Sequence, residues 1–169
     1  EAKFKPRPRY EAGAYFGLPR QRRNGLEGEQ LPQPTLADRE CRPLLLDEAL
    51  GEGYALIGFA VDPRQSLSAA DLQQLAQLNT RYLALYPAGG RPQGKAAAST
   101  PAGLSEWEDM SGECIRRFRE AGYAEGAVAI VRPDRFVFAM ARPGSAPAAV
   151  HSLLEQLGLQ TATRQQEAS

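Results

Sequence analysis

The sequence lacks the residues on which thiol and metal chemistry usually depend. Its 169 residues include two cysteines, Cys41 and Cys114, and a single histidine. No Cys-x-x-Cys pair and no clustered Cys/His spacing is present, which argues against zinc, iron–sulfur and dithiol sites. We therefore expect no metal ligands and no catalytic residues, and we interpret both cysteines as small buried apolar residues.

Long apolar runs and an excess of charge of either sign are also missing. A membrane helix needs a run of about 18 apolar residues, and no run in this sequence is nearly that long. No signal-peptide pattern is present. Twenty basic and twenty acidic residues give a formal net charge of zero. This balance gives no support for nucleic acid or an acidic membrane as a partner, and we expect a cytoplasmic protein.

Proline, glycine and arginine divide the chain into three predicted parts. Residues 1–34 contain five prolines, which block helices and strand ladders, so we expect an extended arm. Residues 35–159 carry the periodic apolar patterns of the domain, and residues 160–169 form a tail that we expect to be disordered. Because the first residue is Glu rather than Met, we expect the chain to be a fragment of a longer protein.

Apolar periodicity predicts alternating helices and strands in the domain. Helices are expected over residues 42–50, from Ser68 onward, over 113–121 and over 146–157, and strands over 54–61 and 81–86, with an earlier strand near 34–37. Ser68 and Asp71 have the spacing of a capping box. Residues 88–103 contain few large apolar side chains, so we expect a mobile loop there.

Residues 127–141 (AVAIVRPDRFVFAMA) form the strongest pattern in the chain. Two apolar, β-branched and aromatic runs flank Arg132, Pro133 and Asp134. Pro133 presets the backbone for the second position of a type I turn and Asp134 suits the third, so these residues are the predicted turn of a β-hairpin. A β-α-β segment, a helix, this hairpin and a closing helix are typical of an α/β, thioredoxin-like fold, with a central mixed sheet and helices on both faces.

This fold raises a redox interpretation that the residues do not support. Thiol exchange uses a cysteine at a helix N-terminus, but the helix after the 54–61 strand begins Ser68–Ala69–Ala70–Asp71. A general base at His151 is a second candidate, and an exposed pair with Glu155 one turn later is the interpretation we favour.

Other charged residues offer weaker candidates. We expect Glu106, Glu108 and Asp109, around Trp107, to form a solvated acidic turn rather than a carboxylate site. Arg132 and Arg135 flank the hairpin turn, where they would serve solubility or contact a neighbouring subunit.

Three stretches resemble the C-terminal region of the FAD-dependent aromatic-ring hydroxylases, and most closely the 3-(3-hydroxyphenyl)propionate hydroxylases. They are KFKPRPRYEAG, LPQPTL followed by RPLLLDEALGEGYALIGF, and the hairpin AVAIVRPDRFVFAMA. The first resembles the segment that leaves the family's catalytic part, which implies that the arm over residues 1–34 is a linker from a missing catalytic domain. The resemblance implies a parent monooxygenase of aromatic catabolism, which binds FAD, takes hydride from NADH or NADPH and inserts one oxygen atom of O₂ into a phenolic ring. In that family the dinucleotide fingerprint belongs to the upstream domain, and GxGxxG is absent from these residues, so no cofactor-binding residue is expected.

We therefore expect a non-catalytic structural and interaction domain. Its expected partners are its own upstream flavin domain and a second copy in a homodimer, with neither nucleic acid nor a membrane. Two alternatives stay open, namely a stand-alone thioredoxin-related redox protein and a small-ligand-binding module that uses the 88–103 loop as a lid.

Overall fold

A mixed sheet forms the centre of the molecule. The structure is a computed structural model that describes residues 25–93 and 102–159. In these ranges the strands are β1 Thr35–Ala37, β2 Pro43–Leu45, β3 Ala55–Phe59, β4 Arg81–Pro87, β5 Leu104–Asp109, β6 Val128–Val131 and β7 Val137–Ala141. The seven strands lie in the order β2-β1-β5-β4-β3-β6-β7. The helices are α1 Leu46–Leu50, α2 Ala69–Gln77, α3 Glu113–Glu120 and α4 Ala146–Gln156.

Strand β3 lies between a parallel and an antiparallel half of the sheet. It pairs in parallel with β4, which pairs in parallel with β5. On its other side β3 pairs antiparallel with β6, and β6 pairs antiparallel with β7. The β3–α2–β4 unit, followed by α3, the β6–β7 hairpin and α4, confirms the predicted thioredoxin-like order.

The helices cover the two faces of the sheet in pairs. Helices α1 and α3 pack on one face through Leu46, Leu50 and Phe118, and α2 and α4 pack on the other through Leu75 and Leu153. All five of these side chains are fully buried. Burying a large apolar side chain contributes about 1.5–3 kcal/mol relative to leaving it in water, so these contacts fix the helices on the sheet. None of the helices in the described ranges has the length and apolarity needed to cross a bilayer.

The region predicted as one helix over residues 42–50 instead contains a strand and a helix, so this prediction was wrong in its first half. Pro43–Leu45 pairs with β1, where Leu36 lies opposite Leu44. Pro43 has no N–H, which an edge strand tolerates because its outer side has no partner strand. The helical pattern starts only at Leu46, and α1 ends as predicted at Gly51, which has a φ of 69°.

Strand β5 was not predicted, although it lies inside the sheet between β1 and β4. Its sequence, LSEWED, alternates acidic residues with larger side chains. Glu106 and Glu108 form ion pairs with Arg39 and Arg91, which are far away in sequence. Because the charged side chains of β5 find their partners far away in the sequence, the segment has the polar composition of a loop. Its composition therefore gave no indication of a strand.

The chain before Thr35 contributes to the core. Leu26 and Leu31 are 1% and 3% exposed, and Gln30 forms an isolated bridge with Phe136. Residues 1–24 of the predicted arm, residues 94–101 of the predicted loop and the tail from residue 160 onward lie outside the described residues. The domain boundary at residue 35 stays a prediction, and the apolar packing extends to at least Leu26.

Candidate functional site

The start of α2 occupies the position where a thioredoxin-like protein would carry its reactive thiol. Here a capping box closes it: the Asp71 N–H donates to Ser68 Oγ at 3.1 Å, and the Ser68 N–H donates to Asp71 Oδ2 at 3.0 Å. The Ser68 hydroxyl also donates to Asp71 Oδ2 at 2.8 Å. The predicted capping box is confirmed, and a carboxylate stands where thiol chemistry would need sulfur.

His151 contacts this cap, a contact that the prediction of an exposed pair with Glu155 did not include. Its Nε2 lies 2.8 Å from Asp71 Oδ1, which joins α4 to the start of α2. The Asp71 side chain is 5% exposed and the imidazole 40% exposed. Because the Ser68 hydroxyl donates to Asp71 rather than to His151, the imidazole is not placed to activate that hydroxyl as a nucleophile.

Asp71 makes the stability of the domain dependent on acid. Burial opposes its ionisation, but hydrogen bonds from Ser68 and His151 outweigh burial, so the pKa of Asp71 falls below its ordinary value of 3.8. A lowered folded-state pKa stabilises the fold above the unfolded-state pKa, and this stabilisation is lost as the pH falls through the folded-state value.

We expect Asp71→Asn to lower the free energy of unfolding by about 1 kcal/mol at pH 6, because a cap is weakened. The gap between wild type and variant should narrow as the pH falls below about 4. Urea unfolding at pH 6, 4 and 3 measures this, and Glu48→Gln, an exposed position on α1, serves as the control. A gap that stays constant across this range would contradict the assignment.

Asp109 caps the N-terminus of α3 directly. Its Oδ1 accepts from the Gly112 N–H at 2.8 Å, and its Oδ2 accepts from the N–H groups of Cys114 and Ile115 at 2.8 and 3.0 Å. The Ser111 hydroxyl donates to Oδ1 as well. Asp109 is 0% exposed, so the prediction of a solvated acidic turn was wrong. Its carboxylate is an internal helix cap.

The two cysteines lie in different environments. Cys114, at the start of α3, is fully buried, and burial together with the charge of Asp109 raises the pKa of its thiol. Cys41 is exposed in the turn between β1 and β2, with a φ of 59°, so its prediction as a buried residue was wrong. Burial therefore favours the protonated thiol of Cys114 at the start of α3. The accessible thiol, that of Cys41, lies in a surface turn.

The connection from β3 to α2 is fixed by a close approach of the backbone. A Cβ on Gly58 would lie 2.0 Å from the carbonyl oxygen of Val61. Ala60 adopts a φ of 54°, and its N–H donates to the Leu85 carbonyl at 2.8 Å. These contacts hold the chain that leads to Ser68 against the ends of β3 and β4.

Two acidic side chains of β5 form ion pairs with arginines. Glu106 forms an ion pair with Arg39, and Glu108 lies 3.8 Å from Arg91. The Arg91 guanidinium also donates to the carbonyls of Ala37 and Asp38 at 3.1 and 3.0 Å. The three acidic residues around Trp107 therefore do not share one site, since Glu106 and Glu108 are paired with arginine and Asp109 is buried beside α3.

A cleft of about 360 Å³ lies between α1 and the first residues of β4 and β5. Its walls are mainly apolar and include Leu44, Ala49, Leu104 and Trp107, with Arg81 at one side. The Arg81 guanidinium is engaged, because it donates to the Ala49 carbonyl at 3.3 Å near the end of α1. The buried indole N–H of Trp107 has no acceptor within residues 25–93 and 102–159.

The hairpin turn brings the predicted turn residues together. The Arg135 N–H donates to the Arg132 carbonyl at 2.9 Å, and the Arg132 guanidinium donates to Asp134 at 2.7 Å across Pro133. Arg135 forms an ion pair with Asp47 of α1. Arg135 therefore links the hairpin turn to helix α1 within the same chain.

Sequence reasoning missed the Asp71–His151 pair and the caps made by Asp109. The capping spacing of Ser68 and Asp71 was a usable signal for one partner, but nothing local connects Asp71 with a side chain 80 residues away. For Asp109, the signal was an aspartate shortly before a helical pattern, which is typical of an N-terminal cap.

Comparison with known proteins places this arrangement in a family. The family described as "HcaD C-terminal domain" matches residues 28–156. A curated relative from Klebsiella pneumoniae (strain 342), named 3-(3-hydroxy-phenyl)propionate/3-hydroxycinnamic acid hydroxylase, is 29% identical over 163 residues. The match covers 95% of this chain and only 28% of that relative's length.

Solved structures show the same fold. The flavin-dependent monooxygenase PieE, solved with FAD and substrate, is similar with a TM-score of 0.58 at 19% identity, over 90% of this chain and 25% of that one. The peroxidoxin BcpB from Mycobacterium tuberculosis is similar with a TM-score of 0.54 at 17% identity, over 81% and 99% of the two chains. Since the family match spans most of the sequence and the fold agrees with it, this chain belongs to the HcaD C-terminal domain family.

Proposed function

We propose that this chain is the non-catalytic C-terminal structural and interaction domain of an FAD-dependent aromatic-ring monooxygenase. Its parent would hydroxylate a phenolic substrate with NAD(P)H and O₂. Family membership and the name of the Klebsiella relative support this class of parent. The short share of the relative that this chain matches supports a separate, larger catalytic part.

One observation carries the non-catalytic assignment. The two helices that follow parallel strands, α2 after β3 and α3 after β5, have their N-termini occupied by the carboxylates of Asp71 and Asp109. Helix N-termini are where thiolates and phosphates are stabilised in α/β folds. At α3 the Asp109 carboxylate accepts from the free N–H groups itself, and at α2 the Ser68 hydroxyl accepts from the Asp71 N–H while the Asp71 carboxylate lies beside it. A carboxylate at either helix start repels a second anion.

The β3–α2 connection does not fit the phosphates of FAD or of a nicotinamide cofactor. Phosphate binding needs a glycine-rich turn between a strand and a helix, so that backbone N–H groups approach the phosphates. The β3–α2 connection, residues 60–68, contains no glycine and ends at the capped Ser68. FAD and NAD(P)H would therefore be held by the upstream flavin domain, and this domain would supply no catalytic or cofactor-binding residue.

The structural role would depend on rigid elements and an exposed surface. We assign Arg132, Pro133 and Asp134 to the hairpin turn as structural residues. Leu45 and Met110 are 47% and 52% exposed, which provides apolar surface for contact with the upstream flavin domain. A homodimer and a cytoplasmic location are further parts of this proposal.

Substitution of both thiols in the parent polypeptide tests the assignment. We expect Cys41→Ser with Cys114→Ala to retain substrate-dependent NAD(P)H oxidation within about twofold, because neither thiol takes part in chemistry. The isolated 169-residue chain should show no such activity and should not reduce insulin disulfides. Loss of the parent's activity without loss of bound FAD or of folding would contradict a non-catalytic domain, as would disulfide reduction by the isolated chain.

The small-ligand alternative rests on the cleft beside Trp107. Its volume is in the range of small-molecule sites, about 300–1,000 Å³. It ranks second because Arg81, a polar group at its wall, is already bound to a helix carbonyl. Quenching or enhancement of Trp107 fluorescence by a small aromatic compound would favour this alternative.

A further inference from the structure

Two exposed arginines differ from the others in what they contact. Eleven arginines lie in the described ranges, and nine of them donate a hydrogen bond to an oxygen of a carboxylate or a carbonyl. The remaining two, Arg119 and Arg142, each lie over an aromatic ring instead. Their guanidinium N–H groups are therefore free to bind an external acceptor.

Both arginines rest on rings that belong to the core. The Arg119 guanidinium lies 5.7 Å from the centroid of Phe59, which is 1% exposed. The Arg142 guanidinium lies 5.2 Å from the centroid of Tyr123, which is 4% exposed. A cation over a ring is held in place by the ring's quadrupole while its N–H edge still points outward. The two charges are thus positioned before any partner arrives.

The two sites lie at the same end of the sheet. Arg119 lies over Phe59, the last residue of β3, and the Phe59 carbonyl accepts from the Gly126 N–H at 2.8 Å. A Cβ on Gly126 would lie 2.8 Å from Pro143, the neighbour of Arg142. The short connection from α3 to β6, residues 121–127, therefore lies between the two arginines.

The neighbouring carboxylates do not pair with either arginine in the described residues. Glu125 is exposed in the same connection but forms no ion pair with either arginine in the described residues. The Glu27 carboxylate accepts from the Met140 N–H at 3.4 Å, and Arg117 on α3 is paired with Glu29 and Glu120.

The backbone here does not form a site for a small phosphate. The N–H groups of Gly122, Tyr123, Gly126 and Ala127 all donate to carbonyls of the protein. A small anion would find no cradle of N–H groups of the kind that phosphate sites use. Two separate guanidinium groups on an open surface instead suit several carboxylates along one extended segment.

We propose that Arg119 and Arg142 form one binding surface for an acidic segment of a partner protein, at the end of the sheet where β3 finishes. This rests on the proposed function as an interaction domain and adds the chemistry of the partner. Arginine recognises carboxylates through paired N–H donors, and its enrichment at protein interfaces fits this role.

Titration of the full 169-residue chain with hexaglutamate, followed by the Nε–Hε NMR signals of the two arginines, tests the surface. Basic residues in positions 1–23 also attract an acidic peptide, so the readout must come from these two side chains. We expect both signals to shift with the same dissociation constant. Arg119→Gln should weaken binding at the Arg142 signal about tenfold, and Arg142→Gln should do the same at Arg119.

Arg116→Gln is the matched control, because Arg116 is an exposed arginine of the same helix that is paired with Glu120. It should change the dissociation constant by less than about twofold. Equal weakening by Arg116→Gln would overturn the proposal, as would independent behaviour of the two signals. Saturation of both signals by inorganic phosphate at the same concentration would show a small-anion site instead. The parent's flavin assay is a separate measurement, so failure here leaves the proposed function standing.

Discussion

Asp109→Ala is expected to lower the free energy of unfolding by about 3 kcal/mol, a large part of the 5–15 kcal/mol typical of a domain. The substitution leaves the N–H groups of Cys114 and Ile115 in a buried site without an acceptor, and that of Gly112 loses its carboxylate partner. Each buried donor without a partner costs about 1–3 kcal/mol. The loss should appear first as opening of α3, since these groups form its N-terminus.

Urea unfolding followed by Trp107 fluorescence measures the effect, because Trp107 is the chain's single tryptophan and lies two residues before Asp109 on β5. Asp109→Asn should also destabilise, by about 2 kcal/mol, since an amide can accept from one group of donors but directs its NH₂ at the other. Glu108→Ala, the adjacent but partly exposed position, should cost less than about 1 kcal/mol. If the Asp109→Ala loss matched that of Glu108→Ala, the carboxylate would not be the cap that the geometry shows.

The elements predicted correctly from sequence are those with local signals. The hairpin combines two apolar runs with a Pro-Asp turn, and the start of α2 combines Ser68 with Asp71 at capping spacing. Helix α3 begins, as predicted, just after the turn at Met110–Ser111–Gly112. In each case residues within one or two turns of one another determine the conformation, so a single sequence carries the information.

The features that were missed depend on contacts between distant residues. Glu106 meets Arg39 across 67 positions, and Asp71 meets His151 across 80. Neither pairing has a periodicity or spacing that sequence inspection could find. The acidic residues of β5 consequently suggested a solvated turn, and His151 suggested a pair on its own helix.

At the candidate site, too, local features were visible in the sequence and contacts between distant residues were not. Absence of sulfur at the start of α2 was visible in the sequence, and it supported a non-catalytic domain. That a carboxylate occupies the N-terminus of α3 as well became visible only with the buried position of Asp109. The cation–π positions of Arg119 and Arg142 also needed the fold, because Phe59 and Tyr123 lie on other elements or connections.

Gly58→Ala is expected to be among the most damaging single-methyl additions in this domain, with a loss of about 3 kcal/mol or more. The added Cβ would lie 2.0 Å from the Val61 carbonyl oxygen and 2.9 Å from its carbonyl carbon. Both are backbone atoms, so no side-chain rotation can relieve the overlap. The connection to α2 would have to move away from β3, and the hydrogen bond from the Ala60 N–H to the Leu85 carbonyl would be strained or lost.

Gly89→Ala separates this steric effect from backbone strain. Gly89 has a φ of 73°, and a Cβ there would meet no atom within 4 Å. Its substitution should cost about 1–2 kcal/mol, the cost of a left-handed conformation for an L-residue. Gly58 has no such φ, so a larger loss at Gly58 must come from contact between backbone segments. Hydrogen exchange at Ser68 and Asp71 should also rise in Gly58→Ala and not in Gly89→Ala, because only the former displaces the chain that leads to the α2 cap. Equal losses in the two variants would mean that the β3–α2 connection yields easily, and a connection that yields could not hold Asp71 against His151.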